Sequence, residues 1–115
     1  MLEQEWALEY FTTADGRIPY LKWFEALSDD KAQRIIDARL TRIRSGNFGT
    51  CEPVGAGIFE LKIYYGPGYR VYFGKAANKI ILLLLGGDKS TQAKDIQIAG
   101  VVIGKTIRNK ENEKK

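Results

Sequence analysis

A chain of 115 residues and 13.0 kDa has room for one core and none for a separate catalytic domain. Its 44% hydrophobic and 28% charged residues fit a folded protein; no apolar run approaches the roughly 20 residues of a membrane helix, and the opening Leu2-Glu3-Gln4-Glu5 is acidic, so a soluble, cytoplasmic protein without a membrane partner is expected. The lone Cys51 excludes an internal disulfide, the absence of histidine excludes His-based triads and zinc enzymes, and the net charge of +4 leaves a polyanionic partner open.

Trp6, Leu8 and Tyr10 alternate with Glu5, Ala7 and Glu9, the two-residue period of a half-buried strand. A turn is expected at Ala14-Asp15-Gly16-Arg17. Pro19 suits the first turn of a helix, and Tyr20, Trp23, Phe24 and Leu27 then recur at helical spacing. Ser28 or Asp29 can cap a second helix, whose apolar stripe is Ala32, Ile35, Ile36, Leu40 and Ile43 and whose end is marked by Gly46. Arg34, Arg42 and Arg44 on its other face read as a solvated surface. Residues 46–57, rich in glycine and lacking a period, read as a surface connection.

From Ile58 onward the odd positions Phe59, Leu61 and Ile63 are apolar, and Val71 and Phe73 resume that pattern after Gly66-Pro67-Gly68. A hairpin with a three-residue loop at 66–68 pairs Tyr64 with Arg70, Ile63 with Val71, Lys62 with Tyr72 and Leu61 with Phe73. One face is then core, and the other collects Glu60, Lys62, Tyr64, Arg70 and Tyr72. After a turn near Ala76-Ala77-Asn78, Ile80 to Leu85 is apolar at every position, which predicts a strand covered on both faces. Gly86-Gly87-Asp88-Lys89 breaks that run. Ser90 or Thr91 can cap a closing helix containing Ala93, Ile96 and Ala99, which Gly100 and Gly104 weaken; the charged end from Arg108 to Lys115 reads as disordered. Charge divides unevenly: residues 1–50 hold seven basic and eight acidic side chains, residues 51–115 eleven and six. The basic half favours nucleic acid or another polyanion, though a solvated lysine-rich face gives the same count.

This order of a strand, two helices, an antiparallel meander of about three strands and a C-terminal helix is an α+β arrangement. Together with Phe59-Glu60-Leu61-Lys62-Ile63, Gly66-Pro67-Gly68-Tyr69-Arg70-Val71-Tyr72-Phe73 and Leu85-Gly86-Gly87-Asp88-Lys89-Ser90-Thr91-Gln92, it closely resembles the RelE/ParE toxin superfamily, in its HigB-like addiction module killer protein branch. Gly46-Asn47-Phe48-Gly49, Pro53-Val54-Gly55 and Lys94-Asp95-Ile96 belong to the same pattern, so the resemblance covers roughly residues 5–98. It implies a single RelE-like domain over residues 1–99 and a divergent, partly disordered tail over 100–115. Relatives continue a charged helix with aromatics where this chain reads Gly100-Val101-Val102-Ile103-Gly104.

The resemblance also implies the toxin of a type II toxin-antitoxin system, a metal-independent, ribosome-dependent messenger-RNA endonuclease that inhibits translation. Its partners would be a cognate antitoxin, in a hetero-oligomer, and mRNA on the ribosome; no metal or cofactor is expected. Cleavage by the RNA 2'-hydroxyl needs a base for its proton, cations for the phosphoryl charge and an acid for the leaving 5'-oxygen. Arg70 matches the arginine after Gly-Tyr in the family and suits a phosphate clamp, because a guanidinium binds phosphate as a fork. Lys62 is a base or an electrostatic stabiliser, and Lys89 binds phosphate or assists the leaving group. Tyr64 and Tyr72 are candidates for stacking RNA bases. Asp88 orients Lys89 or serves the turn. Two other readings stay open: a ParE-like inhibitor of DNA gyrase, and a non-catalytic toxin-like binding module.

Overall fold

The computed structural model describes residues 5–76 and 79–113, with side chains for 5–76 and 79–104. The first four residues, Ala77 and Asn78 of the expected turn, and Lys114 and Lys115 of the expected tail lie outside the described residues.

The alternating opening forms β1 (Ala7–Tyr10), and Pro19 begins α1 (Pro19–Glu25), where its missing N–H is no loss. Asp29 caps α2 (Asp30–Arg44), its carboxylate accepting from the N–H groups of Lys31 at 3.0 Å and Ala32 at 3.2 Å. Then follow β2 (Cys51–Gly55), β3 (Ile58–Ile63), β4 (Tyr69–Ala76), β5 (Ile80–Asp88), a 3₁₀ turn at Lys89–Thr91 and α3 (Gln92–Glu113). The strands form one sheet in the order β1-β5-β4-β3-β2. Only the β1–β5 pair is parallel, so the domain is α+β with a mixed five-stranded sheet.

Both sheet faces are covered. Ile36, Leu40 and Ile43 of α2 and Tyr20 of α1 pack with Leu61, Ile63, Val71, Phe73, Ile81 and Leu83 on one side. On the other, Ala99 and Ile103 of α3 close over Ile58, Tyr72, Leu82, Leu84 and Leu85. The apolar run of β5 is thus a central strand buried on two faces, as its composition requires. A bulge opposite Tyr72 and Phe73 shifts the register of β5, and Leu84 and Leu85 both join the α3 side. Gly86 permits a close approach of α1: a methyl group there would sit 2.1 Å from Trp23 Cε3.

Four details correct the sequence reading. The connection at 46–57 contains a strand, β2, which pairs with β3; its signal was hidden because it is an edge strand carrying Pro53 and a register shift before Gly55. The antiparallel meander therefore has four strands. The β3–β4 register is Lys62 opposite Arg70, Leu61 opposite Val71 and Glu60 opposite Tyr72, two residues from expectation. The turn is longer than three residues: Tyr65 N–H donates to Ile63 O at 2.9 Å and Gly68 N–H to Tyr65 O at 3.1 Å, and since the slip is by two, every side chain keeps its face. β5 continues through Gly86 and Gly87 to Asp88 instead of breaking after Leu85. Finally, α3 passes through Gly100 and Gly104 to Glu113, held by the burial of Ala99 and Ile103.

Candidate functional site

Three predicted cations gather at one end of the sheet. Lys62 stands near the end of β3, directly opposite Arg70 at the start of β4, and Lys89 follows β5, whose Asp88 lies opposite Tyr69. Lys89 Cβ would be 3.6 Å from a methyl group on Gly68, which places the lysine against the β3–β4 turn.

The environments of the three differ. Arg70 is 8% exposed and its Nη1 donates to Glu60 Oε1 at 3.3 Å. Glu60, 1% exposed, also accepts from Tyr72 Oη at 3.0 Å and Gln92 Nε2 at 2.8 Å on its second oxygen. A buried carboxylate is sustained by such pairing and hydrogen bonding. Arg70 Nε is buried without a protein partner. Lys62 Nζ bonds Glu52 Oε2 at 3.1 Å across the β2–β3 pair, while Arg39 Nη1 donates to the Lys62 carbonyl at 2.9 Å and ties α2 to this end of the strand. Lys89 is exposed. Asp88 does not hold it with its carboxylate, which accepts from the Ser90 N–H at 2.8 Å and caps the 3₁₀ turn.

The two tyrosines also part company. Tyr64 is 76% exposed and keeps a ring face available for stacking. Tyr72 is fully buried with its hydroxyl on Glu60, so its ring offers no stacking face in this state. Burial pushes the Tyr72 phenol well above its ordinary value, and the adjacent Glu60 charge adds to the effect. Cys51 is no ready nucleophile, since burial pushes its thiol up.

Glu60, Gln92 and Glu52 were not among the predicted site residues. Glu60 shares the parity of Lys62 and, across the hairpin, of Arg70 and Tyr72, a signal that a carboxylate occupied the same face. Gln92 is brought in by α3, whose first turn lies over this corner: a methyl group on Gly87, the register partner of Arg70, would sit 1.9 Å from Asp95 Oδ2. The corner thus combines a clamped guanidinium, an ammonium in an ion pair and an exposed ammonium, a set suited to holding anionic oxygens.

A protein of Haemophilus influenzae (strain ATCC 51907 / DSM 11121 / KW20 / Rd), described as an uncharacterized protein, is 48% identical over 77 residues, covering 67% of this chain and 78% of its own length. The chain belongs to that protein's family. No family model and no solved structure matches it. Among the described residues, no helix is long and apolar enough to cross a membrane.

Proposed function

We propose that the protein is the toxin of a type II toxin-antitoxin pair and cleaves messenger RNA on the ribosome without a metal. One observation carries the reading: Lys62, Arg70 and Lys89, the cations that match the RelE/ParE pattern in its HigB-like branch, converge at one end of β3, β4 and β5. In the reaction the 2'-oxygen attacks the adjacent phosphorus and loses its proton to a base. The P–O5' bond breaks, and the departing 5'-oxygen takes a proton from an acid, leaving a 2',3'-cyclic phosphate.

Arg70 is the phosphate clamp, with Nη1 anchored on Glu60 and the unpartnered Nε, beside Nη2, available as a donor. Because Nε is buried, phosphate reaches it when the first turn of α3, held by the Gln92–Glu60 bond, moves aside. Lys62, bonded to Glu52, serves as an electrostatic stabiliser, and exposed Lys89 meets the phosphate or the leaving group. Tyr64 stacks a base. A small antitoxin protein neutralises the cationic corner.

The test is induced expression in a bacterium of wild type, Arg70→Ala and Lys89→Ala, with messenger-RNA 5' ends mapped alongside growth and the fold of each purified variant checked by circular dichroism. Growth arrest with cuts inside translated regions, lost in both folded variants, is the expected result. Arrest with intact messages and DNA damage would establish gyrase poisoning instead. No arrest by folded wild type would leave a binding module.

A further inference from the structure

On the opposite side of the sheet from Arg70, a cavity of about 360 Å³ opens between β1, β5, α1 and α2. This is within the roughly 300–1,000 Å³ of ordinary small-molecule sites. Its floor is apolar, with Tyr20, Phe24 and Leu40, and its rim carries Tyr10, Asp37 and Arg44. Tyr10, Tyr20 and Phe24 form a run of stacked rings, with centroids 5.9 Å apart at both steps.

One buried polar atom is unexplained by packing, and one exposed charge beside it stands unpaired among the described residues. Tyr20 is 2% exposed, yet its hydroxyl is buried without a hydrogen-bond partner; a phenylalanine would fill the same space without that penalty. Asp37 makes no side-chain hydrogen bond or ion pair among the described residues, although it stands close enough for its charge to help raise the Tyr20 phenol. The cation on the same rim, Arg44, is turned to Glu5, 3.7 Å away. The cavity therefore presents an unpaired, exposed carboxylate on its rim, a buried phenol oxygen and aromatic rings, and each of these attracts positive charge.

We propose that this cavity binds a small organic cation, a primary ammonium on an apolar stem, with the ammonium between Asp37 and the Tyr20 oxygen and the stem against Phe24 and Leu40. Asp37 supplies the charge preference and the leucine and phenylalanine floor supplies the affinity for the stem. The site shares no residue with the cationic corner, so its failure and the failure of the ribonuclease reading are independent.

The experiment titrates the full chain with phenethylamine and, separately, with its uncharged analogue 2-phenylethanol, following backbone amide shifts by NMR. Saturable shifts centred on Leu8, Leu21 and Leu40 are expected, with the amine bound about tenfold more tightly than the alcohol, the equivalent of one charge-assisted contact. In Asp37→Asn, an exposed position that leaves the core intact, the preference should fall to within about twofold, and Tyr20→Phe should weaken the amine more than the alcohol. The proposal is overturned by unsaturable or scattered shifts, by equal binding of the two probes to wild type, or by a preference that survives in Asp37→Asn.

Discussion

Removing the charge of Glu60 tests the central claim about the candidate site, that a buried carboxylate organises it. Glu60→Gln preserves size but leaves Arg70 facing a neutral amide, and the amide nitrogen must point at a donor, either the guanidinium or the pair formed by the Tyr72 hydroxyl and Gln92. With Glu60 1% and Arg70 8% exposed, water cannot repair the loss. Breaking a buried pair by removing one partner costs about 3–5 kcal/mol. At about 4 °C per kcal/mol for a domain of this size, Tm should fall by roughly 12–20 °C. Urea unfolding at pH 7 measures the cost directly. The double variant Glu60→Gln/Arg70→Met removes the stranded guanidinium and should recover stability relative to the sum of the single variants, with a coupling of about 1–3 kcal/mol. A single-variant loss under about 1 kcal/mol, or strictly additive effects, would refute the claim that these two side chains are one buried unit.

Tyr20 and Tyr72 both have phenols raised by burial, so their contribution to stability is complete below the unfolded value near 10 and is lost as pH rises from there toward the folded value. With both phenols protonated in the fold and ionised in the unfolded chain, stability should decline by about 2.7 kcal/mol per pH unit above that point. Phenolate absorbance should show two of the six tyrosines ionising only on unfolding; reversible titration of all six with the fold intact would count against it. Gly86→Ala drives a methyl group to 2.1 Å from Trp23 and should destabilise by at least about 1–3 kcal/mol, with a red-shifted Trp23 emission as the site-specific readout. Ile36→Ala, at a fully buried position of α2, should lower urea stability by about 2–5 kcal/mol; a loss under about 1 would mean that α2 is not packed on the sheet as described.

Periodicity made most of the fold legible. The stripe of α2 and the unbroken apolar run of β5 each state how many faces are buried, and packing obeys them; the alternation of β3 and β4 marks the residues that face α2, while Glu60 and Tyr72 on their other face are buried as well. The strand β2 was illegible for a physical reason: an edge strand with one paired side needs no strong apolar alternation, and Pro53 reads as a breaker until its edge position is known. Register was legible only modulo two residues, since core placement fixes the face of a side chain while the hydrogen bonds of residues 63–68 fix its partner. The candidate site suffered most from this. Parity correctly grouped Glu60, Lys62, Arg70 and Tyr72 on one face, but it cannot tell a wet face from one roofed by a helix that begins 32 residues after Glu60.

That roof changes what the charge count means. The basic excess of the second half suggests a cationic surface, yet Lys62 and Arg70 are matched by Glu52 and Glu60, leaving Lys89 as the exposed member of the three. Salt-sensitive attraction of a polyanion depends on cations that release counterions to it, and a guanidinium buried on a carboxylate releases none. Under the proposed reading, then, capture of RNA rests on exposed cations, and Arg70 contributes to cleavage without contributing to capture. Lys89 and other exposed basic side chains gather the strand, whereas Arg70 enters only once the first turn of α3 lets phosphate compete with its protein neighbours. Mutating Lys89 therefore lowers affinity and its salt dependence along with cleavage, whereas mutating Arg70 acts on turnover after binding. The distinction follows from burial alone, and a composition-based argument would have assigned both residues the same work.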